Sequence, residues 1–383
     1  MTSFDVRAHT ILLTMAGSRV YGMHRPDSDV DLRGACVPPA RFLHGFHQKF
    51  EQADDDASIN TFADLLTGEA ARAAALTKLE GTVYDVRKVL SLAAESNPNL
   101  LDLLFCRDED VLLCTTEGAL LREARHLTLS RRVKQTFGGY ANAQLKRIET
   151  HRRWLLDPPA AAPKRAAFGL PENTLLPADQ LAAAAAAVRK KVDGWELDFT
   201  GAPPSTAVAV HEALATELAE IALATGHPSV DALKWSAAAR LVGLDDNLIL
   251  VMQRERSYEA AAREFRQYET WRTSRNPERA GLEAHYGYDT KHAAHLMRLL
   301  RMGREILETG SVMVWRGPGG AGDADELCAI RAGAWSYERL TEARIEAMDA
   351  LEAAATRSPL PPRPDIDALD ALCVRIVESR LRG

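Results

Sequence analysis

Ala16-Gly17-Ser18 is followed, after about ten residues, by Asp29-Val30-Asp31-Leu32. The run before it, His9-Thr10-Ile11-Leu12-Leu13-Thr14-Met15-Ala16, reads as a buried strand, which makes Gly17-Ser18 the turn at its end. On a second strand alternate side chains share a face, so Asp29 and Asp31 point one way while Val30 and Leu32 pack behind the sheet. Two such carboxylates at about 4 Å repel by roughly 4 kcal/mol at an effective dielectric near 20, a cost that a bound divalent cation reverses. A helix opening at Gly17-Ser18 would turn free amide groups toward an anion, which suits nucleotide phosphates. The stretch thus predicts metal and phosphate chemistry at one spot.

The chain has 383 residues, 46% of them hydrophobic, enough for a sizeable core and two or three domains. No apolar run approaches the ~20 residues that span a bilayer, so no membrane partner is expected. The start Met1-Thr2-Ser3-Phe4-Asp5-Val6-Arg7 lacks the pattern of a signal peptide, and the expected compartment is the cytoplasm. Cys36, Cys106, Cys114, Cys328 and Cys373 form no Cys-x-x-Cys pair and read as reduced core thiols. A net charge of −6 excludes a uniformly cationic nucleic-acid binder. Local clusters point the other way. Arg131, Arg132, Lys134, Lys146, Arg147, Arg152 and Arg153 are interrupted only by Glu149. Arg272, Arg275, Arg279, Lys291, Arg298, Arg301 and Arg304 are interleaved with Trp271, His285, Tyr286, Tyr288, His292 and His295. Aromatics among cations can stack a base while holding its phosphates.

Strands are expected near Thr10–Met15, Val30–Val37, Lys78–Val83 and Leu100–Phe105, with an amphipathic helix over Asp85–Glu95 that Asn97-Pro98 ends. From Ala119 the pattern turns helical. Helices are expected over Glu117–Ala124, Ser130–Leu156, Ala178–Val192, Thr206–Thr225, Val230–Leu241, Ser257–Ser274, Thr290–Glu308, Ser336–Thr356 and Asp365–Leu381. Trp315-Arg316-Gly317-Pro318-Gly319-Gly320-Ala321-Gly322-Asp323 lacks the Lys-Ser/Thr of a P-loop and reads as a flexible surface loop. His285, His292 and His295 have the spacing of shared ligands. Without His-Glu-x-x-His or a nearby cysteine pair, zinc is not expected there.

Read as one motif, Gly17-Ser18-Arg19-Val20-Tyr21-Gly22-Met23-His24-Arg25-Pro26-Asp27-Ser28-Asp29-Val30-Asp31-Leu32 resembles the DNA polymerase β-like nucleotidyltransferase superfamily. The closer resemblance is to its RlaP-type branch, associated with RNA repair. It extends to Val86-Arg87-Lys88-Val89-Leu90, to Asn97-Pro98-Asn99-Leu100-Leu101-Asp102-Leu103-Leu104-Phe105, and to Phe137-Gly138-Gly139-Tyr140 with Gln144-Leu145-Lys146-Arg147. Further on it takes in Arg275-Asn276-Pro277-Glu278-Arg279 and Tyr286-Gly287-Tyr288-Asp289-Thr290-Lys291-His292, with His295 and Arg298. This implies an α+β fold: a polymerase β-like nucleotidyltransferase domain over residues 1–125, a small mixed sheet flanked by helices, followed by a mostly helical domain over 126–383. A Pro/Ala-rich connector would occupy about 157–205.

The resemblance also implies a third carboxylate on a neighbouring strand. Asp102 is the choice, with Glu80 and Asp85 as rivals. Asp29, Asp31 and Asp102 would hold Mg2+ or Mn2+ beside an NTP, with Gly17, Ser18 and Arg19 at its phosphates and Arg33 a weaker helper. Tyr21 and His24 could approach the nucleotide. Lys291, His295 and Arg298, at i, i+4 and i+7 of one helix, form a second phosphate-binding face. The implied activity is metal-dependent nucleotidyl transfer to a hydroxyl, foremost at an RNA end. A protein Ser, Thr or Tyr acceptor and an inactive nucleotide or RNA sensor are the alternatives.

Overall fold

The computed structural model describes residues 4–26, 28–174, 177–195, 214, 216–222, 224, 230–275 and 277–382. The expected helix over Thr206–Thr225, the Pro203-Pro204 end of the connector and Asn276 fall largely or wholly outside them. The protein is mixed α/β, with a small five-stranded sheet among many helices.

Strands β1 (Thr10–Ala16), β2 (Val30–Cys36), β3 (Gln52–Ala53), β4 (Leu79–Asp85) and β5 (Val111–Cys114) are ordered β3-β4-β2-β1-β5. β1 pairs antiparallel with β2 and β5, β3 pairs antiparallel with β4, and β2 runs parallel to β4. A parallel pair needs a long crossover, and Asp56–Asn60 and Gly68–Leu76 supply its helices. Two apolar layers cover the sheet. Leu13, Met15, Val30, Leu32, Ile59, Phe62 and Val83 share one cluster; Ile11, Leu12, Ala35, Val86, Val89, Leu90, Leu100 and Leu104 share the other. The alternation expected of β2 holds: Val30 and Leu32 are buried, whereas Asp31 and Arg33 are partly exposed.

The strand expected over Leu100–Phe105 is instead a helix, Pro98–Phe105. The preceding helix, Val86–Ala94, ends as expected, and Ser96 takes a left-handed φ of 57°. Asn97 then caps a new helix by accepting from the Asn99 amide, with Pro98 in its first turn. Leu100, Leu101, Asp102, Leu103 and Leu104 are all buried, so this helix lacks the polar face that would have marked its period. The cysteines divide: Cys36 and Cys106 are core thiols, but Cys114 at the end of β5 is exposed.

The chain packs as two compact units, and their limits differ from a division at residue 125. One comprises Met1–Asp157 with Asn276–Gly383, the other Pro158–Arg275. In the first, Val133–Leu156, Thr290–Thr309 and Tyr337–Arg357 pack through Phe137, Ala141, Ile148, Met297, Leu300, Leu340 and Leu351. Val20, Tyr21 and Met23, from the loop after β1, belong to the same cluster. In the second unit Val188, Trp235, Ala238, Ile249 and Met252 form a separate small core. Among the described residues, no helix is long and apolar enough to cross a membrane.

The glycine-rich segment is no loose loop. Arg316 is fully buried and ion-paired with Glu305 and Asp323, and its amide donates to the Tyr21 carbonyl at 3.1 Å. Arg331 Nη1 donates to the Met23 carbonyl at 3.3 Å. The C-terminal helices thereby hold the loop that leads from Gly17 to the acid pair.

Candidate active site

β1 ends at Ala16, which pairs with Asp31 of β2. Gly17 then turns with φ +61°, and a β-carbon there would lie 1.9 Å from Asp31 Oδ2. Only glycine leaves room for that carboxylate to lie against the turn. The helix that follows, Gly17–Val20, is a single turn. Across the sheet, Asp31 pairs in parallel register with Glu80 of β4. Burial pushes the Asp31 carboxyl above its ordinary value, Arg33 pulls it back, Glu80 and Asp29 raise it further, and Lys291 lowers it. Asp31 thus interacts with two further carboxylates, Glu80 and Asp29, at the edge of the sheet formed by the strand ends next to Gly17.

The three candidates for the third acid separate on geometry. Glu80 lies directly across from Asp31, half exposed, with Lys78 Nζ at 3.0 Å. Asp85 is at the other end of β4, opposite Cys36, about 16 Å along the strand at ~3.3 Å per residue. It is buried, caps the next helix through the Arg87 amide and pairs with Arg87. Asp102, expected on a strand, is on the Pro98–Phe105 helix and fully enclosed. Its Oδ2 accepts from Tyr21 Oη, its Oδ1 has no hydrogen-bond partner among the described residues, and burial raises its pKa. Asp102 thus packs beneath the loop, and Arg33, which acts on Asp31, acts on it as well.

Tyr21, expected near the nucleotide, is likewise buried, and desolvation drives its phenol pKa well up. Arg298 lies over its ring at 3.7 Å and is itself buried. Arg298 therefore supports Tyr21 instead of presenting itself on an open face. Arg19 is buried too: Nη1 reaches Glu69 at 3.4 Å and Nη2 donates to the Ser28 carbonyl at 3.3 Å, bracing the turn before Asp29. His24 faces the same Glu69 at 3.3 Å. Of the second phosphate-binding face, Lys291 is exposed and close enough to act on Asp31. Two of the basic residues from Arg131 onward are committed to acids, Arg132 to Glu95 and Lys134 to Glu352. The second basic cluster is divided between the two units, Arg272 and Arg275 in one and Lys291, Arg298, Arg301 and Arg304 in the other.

His295 is held neutral. Burial lowers its pKa from 6.5 to about 3, and Arg298, His292, Arg147 and Lys291 lower it further. Below pH 6.5 the unfolded chain takes up a proton that the folded chain refuses until about pH 3, so this group removes stability as pH falls through that window. The loss reaches about 2 kcal/mol at pH 5. His295→Gln should shift its thermal midpoint less than the wild type between pH 7 and pH 5. Equal shifts in the two proteins would disprove the assignment.

Residues 3–156 match the family model RlaP, described as an RNA repair pathway DNA polymerase beta family. That segment contains β1 to β5, the Gly17 turn and all three acids at the sheet edge. No curated protein and no solved structure matches the chain.

Proposed function

Starting from the RlaP match over residues 3–156, we propose that this chain is a divalent-metal-dependent nucleotidyltransferase that moves a nucleoside monophosphate from an NTP to a hydroxyl at an RNA end. The observation that carries this reading is Asp31, seated against the Gly17 turn and across from Glu80, with the charge of Asp29 near enough to act on it. An all-oxygen donor set of Asp29, Asp31 and Glu80 would suit a hard cation such as Mg2+ or Mn2+, and at Gly17 no side chain displaces the Asp31 carboxylate. When bound, such a cation would acidify the acceptor hydroxyl and offset charge on the departing pyrophosphate.

The chain's own residues do the placing. Asp31 would hold the cation from β2 and Asp29 from the residue before it, and Glu80 would take the third position that Asp102 was expected to fill. Lys291 meets the phosphates from the helical side. Gly17 and Ser18 border them with backbone amides, and Arg19 positions the acid pair by bracing Ser28. Tyr21, Asp102 and Arg298 set the base of the loop.

Incubation with each α-labelled NTP, Mg2+ or Mn2+, total RNA and lysate tests the proposal. Label is expected in RNA, cut at least about 100-fold by Glu80→Gln, equivalent to ~2.7 kcal/mol of transition-state stabilisation, and largely retained in Asp102→Asn. Label confined to protein bands would make the acceptor a Ser, Thr or Tyr hydroxyl. Absence of label from every macromolecule would refute the transferase.

A further inference from the structure

His151 sits near the end of the Val133–Leu156 helix, and Asp289 and His292 sit at the start of the Thr290–Thr309 helix. One ligand atom from each, taken together, lie within 4.8 Å of one another. His151 Nδ1 is 3.1 Å from Asp289 Oδ2, and His292 Nε2 is 3.6 Å from that same oxygen. Asp289 is completely buried, and both imidazoles are mostly so. We propose that His151, Asp289 and His292 form a binding site for a zinc-class divalent cation that joins these two helices.

The separations suit such an ion. Around a tetrahedral zinc with ligand bonds near 2.0–2.2 Å, neighbouring donor atoms stand about 3.3 Å apart, and the two measured distances bracket that value. The two imidazoles are borderline ligands, and beside a single hard carboxylate they favour zinc over magnesium. Asp289 divides its oxygens: Oδ1 accepts from the His292 amide at 3.1 Å, capping the helix, which directs Oδ2 at the rings. The ligands are held from outside as well. Tyr288 Oη donates to the Trp335 carbonyl and Thr290 Oγ1 to the Arg331 carbonyl, each at 2.8 Å, so both neighbours of Asp289 are tied down. Arg152 donates to the Gly287 carbonyl at 2.8 Å, and the His151 ring stacks on Trp154. Such buttressing preserves ligand orientation in metal sites. Against the ion stands the helix N-terminus, which the Asp289 carboxylate at the cap offsets. The three ligands found among the described residues fill three of the four positions of a tetrahedral ion.

Metal-stripped full-length protein should take up one equivalent of Co2+ with the intense visible bands of a tetrahedral site, and Zn2+ should displace it. His151→Ala and His292→Ala should lose the bands, with zinc affinity down by more than about 100-fold, since even outer-shell losses cost 10–100-fold. Asp31→Asn should bind as the wild type does, which separates this site from the carboxylate edge. His151→Gln is the decisive variant: glutamine can still donate a hydrogen bond to Asp289 but is a poor zinc ligand. A folded His151→Gln that loses the bands supports the site. Undiminished bands in that variant, or no bands in the wild type, would overturn it and leave a hydrogen-bonded helix cap.

Discussion

Asp31→Asn is expected to abolish nucleotidyl transfer, by at least about 1,000-fold or ~4 kcal/mol of barrier, while raising the thermal midpoint of the metal-free protein. The two effects share a cause. Burial, Glu80 and Asp29 all disfavour the Asp31 charge in the folded chain, and Arg33 and Lys291 only partly relieve it. A carboxyl whose folded pKa lies above its unfolded value costs stability wherever it is ionised, and that cost disappears as pH falls through the folded pKa. The variant's advantage should therefore be fully present at neutral pH and shrink on acidification. Saturating Mg2+ should reverse the order by stabilising the wild type through mass action while leaving the variant unmoved. Calorimetry of both proteins, with and without the ion and at two pH values, checks each step. A variant that is less stable than the wild type without metal, or that still transfers label, would contradict the reading of this edge as strained by its own charge. Sites that hold charge for chemistry commonly sacrifice stability in this way.

What the sequence made legible follows from the period of each element. β2 alternates Val30 and Leu32 against Asp31 and Arg33, so the face that Asp31 takes could be read directly. The Pro98–Phe105 helix buries Leu100 to Leu104 without a break, and an apolar run of that kind carries no period; Asn97-Pro98, which ends one helix, also starts the next. The strand expectation for Asp102 fails for that reason. Parity along β4 could limit the choice between Glu80 and Asp85 to one, but which of them lies across from Asp31 depends on strand register, which only the fold supplies. The same holds for Arg298 and Arg19. Their charge suggested phosphate contacts, whereas the structure spends it on Tyr21 and on Ser28. His151 and Asp289 are 138 residues apart, and nothing local in either stretch announces the other. Val111–Cys114 was missed as a strand because its four residues are too few to establish alternation.

Gly17→Ala should be the most damaging substitution of a residue that offers no side chain to the site. Forcing a side chain into φ +61° costs roughly 1–2 kcal/mol. The new methyl would also meet Asp31 Oδ2 at 1.9 Å and Cγ at 2.7 Å, well inside contact distance. Asp31 cannot retreat as a whole, because its backbone is paired with Ala16 on one side and Glu80 on the other. Its carboxylate must swing away instead, which removes a cation ligand without altering the charge of the site. Transfer should fall at least about 100-fold, ~2.7 kcal/mol. Gly139→Ala is the matching control: it lies inside the Val133–Leu156 helix with open space around its β-carbon, and should gain about 0.5–1 kcal/mol. The double variant Gly17→Ala, Asp31→Asn separates geometry from backbone strain. If the glycine matters by giving Asp31 its place, adding Gly17→Ala to Asp31→Asn should cost little further activity, while the stability loss from the left-handed turn remains. Fully additive activity losses would mean that Gly17 serves the reaction independently of Asp31, through its own backbone at the phosphates.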